Sequence, residues 1–245
     1  MTERFNRKVA VTAAFLFLSS AWPACVVASV DISPVRLDLS DNRNKDTIRF
    51  GNGGDVTKSY QVDVVKWSQS EGESEEYSPT DDLLVVPPIF TLEPGEQQVV
   101  RIGLMRGADA DTELAYRIFF TELSPAQPDS PTVTGVTMRL RLGVPVFVAP
   151  SGESLPKLEH IGSERQLDQL FMRFRNTGNV HVKVNEIHYE APGLAEKTIS
   201  PAVFYLLPGQ TASLPVSLPH GNAVGKVTLV TDTAGNLEYD LQSSP

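Results

Sequence analysis

The sequence predicts an all-β protein built from two β-sandwich domains. Short runs rich in Val, Ile, Leu, Phe and Tyr recur along the chain and are separated by Gly, Pro and Asn turn clusters. Apolar and polar residues alternate with a period of two at 60–64 and 181–187, which is typical of half-buried strands. After the first 28 residues, no window of 12 or more residues shows a convincing helical period.

Two motifs occur in the same order in both halves of the chain, which predicts two domains of similar plan. Residues 49–53 (RFGNG) resemble 173–178 (RFRNTG), and residues 92–97 (LEPGEQ) resemble 206–211 (LLPGQT). Chance similarity between β-turn sequences is the alternative explanation. The predicted domains span 29–149 and 157–245, joined by a linker at 150–156 where Pro, Ser and Gly cluster.

The first 28 residues have the pattern of a cleaved secretory signal. Three basic residues precede an apolar run from Val9 to about Ala21, and Val26 and Ala28 are small residues at the −3 and −1 positions of a cut before Ser29. A lipid anchor on Cys25 is the alternative, but residues 22–24 match a lipidation site poorly. No later segment is long and apolar enough to span a membrane. We therefore expect a protein that lives outside the cytoplasm, is not embedded in the membrane and, once cut, has no cysteine.

Charge and motif content exclude several classes of function. The chain has 21 basic and 30 acidic residues, a net charge of −9, which argues against a nucleic-acid partner. No Gly-x-Ser-x-Gly, phosphate-binding glycine loop or His-Glu-x-x-His is present, and the four histidines are scattered. We expect no enzyme activity, no cofactor and no metal site. The acidic segment 68–82 is interpreted as a solvated loop, with a cation or partner site as the less favoured alternative.

Residues 134–148 (TGVTMRLRLGVPVFV) predict a long strand with one apolar face. An ordinary half-buried strand has this pattern, but this one exceeds the common length of about 3–10 residues. A long apolar strand at a sheet edge promotes aggregation unless its role is to pair with another protein. The apolar face consists of Val136, Met138, Leu140, Leu142 and Val144.

Several segments resemble the periplasmic pilus chaperones of the PapD type. The most specific is 86–102 (VPPIFTLEPGEQQVVRI), and 116–123 (YRIFFTEL) followed by the long strand matches the paired strands before their interdomain linker. In the second half, 176–181 (NTGNVH) and 232–237 (DTAGNL) also fit. Residues 35–37 (VRL) and 142–148 (LGVPVFV) are most similar to the archaic, spore-coat-like branch.

The resemblance implies two immunoglobulin-like sandwiches in a boomerang arrangement, with a subunit cleft at the bend. A chaperone of this family lends its long strand to a pilus subunit that lacks its own last strand, and delivers the subunit to an outer-membrane usher without nucleotide or metal. Strand addition of this kind takes affinity from backbone hydrogen bonds and specificity from alternate side chains. On this basis Val136, Met138, Leu140 and Leu142 are expected to fill the subunit's groove.

The family also implies basic residues that bind the subunit's terminal carboxylate. Arg36 aligns with the family's first-strand arginine, whereas Pro145 occupies the position of its partner lysine. The basic residues nearest to that position are Arg139 and Arg141 on the long strand and Arg101 on the strand after the Pro-Gly turn. We expect the anchor to be drawn from these four arginines, with Arg101 and Arg141 as one pairing and Arg36 supporting or structural.

Two other classes of function remain as alternatives. A secreted adhesin or carbohydrate-binding module would expose aromatic residues on one face, yet Trp67 is the only tryptophan after the predicted signal. A hydrolase on a β-sandwich would need a converging catalytic set, which the sequence does not show. Whether the free chain covers its long strand by forming an oligomer is left open.

Overall fold

The computed structural model describes residues 30–70, 74–123, 139–166, 169–191, 197–200, 204–216 and 224–241. All regular structure in these residues is β-strand, so the predicted all-β class is confirmed. The predicted signal at 1–28 lies outside the described residues. No helix in the described part of the chain has the length and apolarity of a membrane span.

The first half forms a sandwich of two sheets. One sheet has the order β1-β3-β8-β6, and the other has the order β2-β10-β9-β4-β5, with β7 also pairing with β4. The strands are β1 (Val30–Ser33), β2 (Leu37–Leu39), β3 (Lys45–Asn52), β4 (Lys58–Gln69), β5 (Glu75–Pro79), β6 (Leu83–Val86), β7 (Ile89–Leu92), β8 (Gln97–Leu104), β9 (Leu114–Leu123) and β10 (Arg141–Val148).

The second half repeats this plan with fewer described strands. Its sheets have the orders β11-β12-β16 and β14-β13-β17-β18, with β15 paired to β13. The strands are β11 (Leu158–Gln166), β12 (Gln169–Asn176), β13 (Val182–Glu190), β14 (Lys197–Ser200), β15 (Phe204–Leu206), β16 (Thr211–Val216), β17 (Gly225–Thr231) and β18 (Asn236–Leu241). The boundary predicted at 150–156 falls between β10 and β11 and stays a prediction.

Each half has its own apolar core, formed by the inward face of alternating strands. Phe50, Tyr60 and Phe120 pack at the centre of the first, with ring centroids of Phe50 and Tyr60 4.6 Å apart. Met172 and Phe174 are fully buried in the second. Alternation places apolar side chains on one face of each strand, and two such faces pack into a core.

The two sequence motifs that repeat along the chain form the same hydrogen-bonded turn in both halves. Asn52 Nδ2 donates to the carbonyls of Val56 and Leu92, at 2.8 and 3.1 Å. Asn176 Nδ2 donates to the carbonyls of Val180 and Leu206, both at 2.8 Å. Both asparagines are buried, and in each turn the asparagine backbone also bonds to the neighbouring Pro-Gly turn. The sequence repeat is therefore a structural repeat.

Replacing Asn176 with Ala is expected to destabilise the second half by about 2–4 kcal/mol, because two buried carbonyls lose their donor. The measurement is the free energy of unfolding by denaturant, followed by circular dichroism. Asn44→Ala is the matched control, since Asn44 is exposed and lies outside the strands. A loss no larger than that of Asn44→Ala would contradict this role of Asn176.

Candidate functional site

Half of one edge of β10 is open. Strand β2 pairs with β10 in parallel, but only from Val146 to Val148, whereas β9 pairs with β10 along its whole length. Over residues 141–145 no other described strand occupies the edge that faces away from β9. An unpaired edge presents backbone donors and acceptors to an incoming strand.

The backbone groups on this edge can be assigned from the ladder. Leu140 O accepts a hydrogen bond from Glu122 N at 2.8 Å, so the backbone groups of Leu140 point toward β9. The backbone groups of successive residues point alternately to the two neighbouring strands, so those of Arg141, Gly143 and Pro145 point to the open edge. Pro145 lacks an N–H, and an open edge is a position where proline removes no ladder bond. The edge therefore offers the N–H and C=O of Arg141 and Gly143.

The structure divides the predicted donor-strand residues into three groups. Val136 and Met138 lie outside the described residues, and β10 begins only at Arg141. Leu140 and Leu142 are half-buried, and Leu142 packs against the core of the first half. Val144 is 3% exposed and belongs to that core, so its side chain is not available to a partner. Val144 thus lies on the apolar face of the strand, in the part of that face that its own half of the chain covers.

Arg36 lies at the end of the open edge. It directly precedes β2, whose first residue, Leu37, is paired with Val146 of β10. Its Nε donates to Asp38 Oδ2 at 3.1 Å, and its Nη1 donates to Asp232 Oδ2 of the second domain. Burial alone would lower the pKa of Arg36, but the bond to Asp232 and the charges of Asp38 and Asp232 outweigh it and raise the pKa. The side chain is 31% exposed, so it is still accessible.

Tyr205 lies near Arg36 and near two further cations, Arg117 and Lys183, which were not among the predicted site residues. Burial raises the pKa of Tyr205, while the nearby charges of Arg36 and Arg117 lower it. Lys183 Nζ lies 5.8 Å from the centroid of the Tyr205 ring. The alternation of residues along 116–123 and 181–187 places Arg117 and Lys183 each on one face of its strand. It does not indicate that these two strand faces, one from each half of the chain, lie close together.

Arg117 is already engaged on the cleft side of the first domain. It donates from Nη2 to Glu75 Oε1 at 2.6 Å and stacks over the Trp67 ring at 4.2 Å, while its buried Nε has no hydrogen-bond partner. A cavity of about 500 Å3 lies beside it. Residues of both domains line this cavity, among them Gln69, Glu75 and Arg117 from the first and Tyr205, Leu206 and Leu214 from the second.

The other three predicted anchor arginines do not converge with Arg36. Arg101 is exposed on β8 and points away from the core, since its neighbours Val100 and Ile102 are buried. Arg141 lies on the outer face of the opposite sheet, with its guanidinium 3.8 Å from the centroid of the Phe119 ring. Two packed sheets are about 10 Å apart, so these two arginines lie on opposite sides of the sandwich. The structure therefore does not bring Arg101 and Arg141 together, and their pairing as an anchor stays a prediction. Arg139 is exposed before β10 begins.

The two domains are joined near the cleft by buried contacts. Glu113 Oε1 accepts hydrogen bonds from His181 N at 2.9 Å and pairs with His181 Nδ1 at 2.8 Å, while the His181 ring stacks on Phe147 with centroids 3.6 Å apart. The Gln69 amide donates to Tyr205 O and accepts from Leu207 N. Trp67, 2% exposed, is buried at this junction.

Comparisons with known proteins give a family and a fold. Residues 29–154, half of the chain, match the N-terminal domain model of PapD, the pili and flagellar-assembly chaperones. No curated protein matches the chain by sequence.

Solved structures that contain chaperones match most of the chain at low identity. A chain of the CsuC–CsuE chaperone–tip adhesion subunit pre-assembly complex, from archaic Csu pili of Acinetobacter baumannii, has 19% identity and a TM-score of 0.63, covering 86% of this chain and 98% of its own. A chain of the SafA pilin–SafB chaperone complex of Salmonella enterica has 19% identity and a TM-score of 0.55, covering 87% of this chain and 96% of its own. The Escherichia coli chaperone DraB has 18% identity and a TM-score of 0.55, covering 87% of this chain and 98% of its own. These likenesses support the two-domain fold, and the family match, together with the motifs from 86 to 148, shows that the chain belongs to the PapD-type family of pilus-assembly chaperones.

Proposed function

We propose that this protein is a periplasmic chaperone that captures pilus or spore-coat-like subunits by adding its β10 segment to them. The observation that carries the proposal is the open edge of β10 that ends at Arg36. Backbone groups along the edge can pair with a subunit strand of any sequence, and the guanidinium can bind a carboxylate at the end of that strand.

The proposal includes a direction for the added strand, which the pairing of β2 with β10 supports. Strand β2 occupies the edge from Val146 onward and runs parallel to β10, with Arg36 directly before it. A subunit strand that brings its terminal carboxylate to Arg36 therefore lies in line with β2 and runs parallel to β10. Its last residues reach the cleft between the domains, beside Tyr205 and Lys183.

Leu140 and Leu142 are the described side chains that would reach the subunit's groove, continued by Val136 and Met138 if the strand extends as the sequence predicts. Subunits that lack a strand expose a large apolar groove, and alternate side chains of the donor can fill it. The side chain of Leu142 packs partly against its own core, so it links the donated segment to the rigid sandwich.

Periplasmic location and delivery to an outer-membrane usher are parts of the same proposal. The first rests on the signal-like residues 1–28, and the second rests on the family. The alternative of a carbohydrate-binding module is not favoured, since Trp67 is buried between the domains in the described part of the chain.

The experiment is co-expression of the full chain with each small secreted subunit encoded beside it, followed by purification on a tag after Pro245. We expect a one-to-one complex, and we expect the purified usher to release the subunit from it. The mass of the free chain is measured in parallel, because an open edge can also pair with a second copy. Failure to form a complex with any subunit would overturn the proposed function.

A further inference from the structure

Arg36 is already bound to a carboxylate in the structure. The carboxylate belongs to Asp232, which follows β17 in the second domain and is bonded to Arg36 Nη1. Asp232 has the same functional group as the terminus of a polypeptide chain. In the subunit-free chain, the residue best placed to receive a subunit's terminal carboxylate is therefore occupied by an internal one.

The position of Asp232 is fixed by the turn that carries it. Asp232 N donates to Lys183 O at 3.2 Å. Thr231 Oγ1 donates to Gly235 O at 2.6 Å and accepts from Ala234 N at 3.0 Å, and Gly235 has a φ of +71° that favours glycine. The turn thus holds the carboxylate against Arg36.

Resting on the proposed function, we propose that Asp232 is a resident counter-ion that the subunit's terminal carboxylate displaces from Arg36. Two carboxylates at one guanidinium that also binds Asp38 repel each other, so the incoming one binds fully only when Asp232 leaves. Asp232 then determines how strongly the cleft prefers a subunit with a charged terminal carboxylate over a subunit with a neutral terminus.

Displacement has a consequence for the two domains. The Arg36–Asp232 pair joins them, so capture of a subunit removes this link while the Glu113–His181 pair and the Gln69 bonds remain. Lys183 lies beside Asp232 and has no acidic partner in the part of the chain that the structure describes. It is therefore placed to receive the released carboxylate.

The test compares the wild-type chain with Asp232→Asn, which keeps the shape of the side chain and removes its charge. The probe is the co-expressed subunit, prepared once with its natural terminal carboxylate and once with an amide terminus. We expect Asp232→Asn to slow dissociation of the carboxylate form by about 5-fold, the ratio typical of a partly exposed ion pair. Dissociation of the amide form should stay unchanged.

A second measurement follows the domains directly. Residues 30–241 contain no cysteine, so spin labels can be placed at Asp55→Cys and Asp240→Cys in a chain without its first 28 residues. We expect the distance distribution between the labels to shift when the carboxylate subunit binds, and to shift in the same direction in free Asp232→Asn.

The outcomes separate this inference from the function on which it rests. If the subunit binds but Asp232→Asn weakens both forms equally, or leaves the preference for the carboxylate unchanged, Asp232 is only a structural link and the inference is overturned. If neither form binds the wild-type chain, the proposed function itself fails.

Discussion

Arg141→Pro is expected to weaken subunit binding on the order of 100-fold while the protein remains folded, because it blocks the open edge of β10 without breaking the ladder to β9. The N–H of Arg141 faces the open edge, as the bond from Glu122 N to Leu140 O implies. Proline removes that N–H and places its ring in the path of the incoming strand. The measurement is the dissociation rate of the purified complex.

Arg141→Ala is the matched control for this variant. It removes the guanidinium that stacks over Phe119 but keeps the N–H on the edge, so we expect binding to change by less than about 3-fold. If both variants lose binding, the side chain of Arg141 contacts the subunit and the edge is not the determinant. Equal binding by Arg141→Pro and the wild-type chain would exclude strand addition at this edge. Circular dichroism of both variants verifies folding.

The fold could be predicted from the sequence because its signals are local. Alternation marked the strands, and the repeated Asn and Pro-Gly motifs marked two domains of similar plan. The structure shows why these motifs recur: each buried asparagine satisfies the carbonyls of the turn that closes a sandwich. A position whose side chain must donate to buried backbone carbonyls favours asparagine, so such positions are recognisable in the sequence.

The site could be predicted only in part, because it depends on which faces meet. Alternation shows that Arg101 and Arg141 each lie on the polar face of a strand. It does not show that their strands belong to opposite sheets, and therefore that the core separates them. Arg117, Lys183 and Tyr205 were missed for the related reason that the interface between domains joins residues far apart in the chain. Arg36 was identified through resemblance to the family, and the structure gives it a physical position at the end of the open edge.

Arg36→Gln is expected to weaken subunit binding on the order of 100-fold, because it removes the only predicted anchor arginine that lies at the end of that edge. A guanidinium can hold a carboxylate through two parallel hydrogen bonds, and glutamine keeps a polar amide but is shorter and carries no charge. Arg36→Lys keeps the charge as a single point donor, so we expect an intermediate loss of about 10-fold.

Arg101→Ala provides the control that distinguishes this site from an anchor formed by Arg101 and Arg141. Arg101 is exposed on the far side of the first sandwich, so we expect binding by Arg101→Ala to match the wild-type chain. A loss in Arg101→Ala with normal binding by Arg36→Gln would place the carboxylate on the outer face of β8 and contradict the anchor at Arg36.

Stability must be measured with binding in these variants, since Arg36 also joins the two domains. Partly exposed ion pairs contribute at most about 1 kcal/mol, so Arg36→Gln should lower the unfolding free energy only slightly. The Asp232→Asn variant removes the same ion pair but keeps the guanidinium. Any effect of losing the link between domains is therefore common to both variants, and the difference between their dissociation rates measures what the guanidinium of Arg36 contributes to holding the subunit.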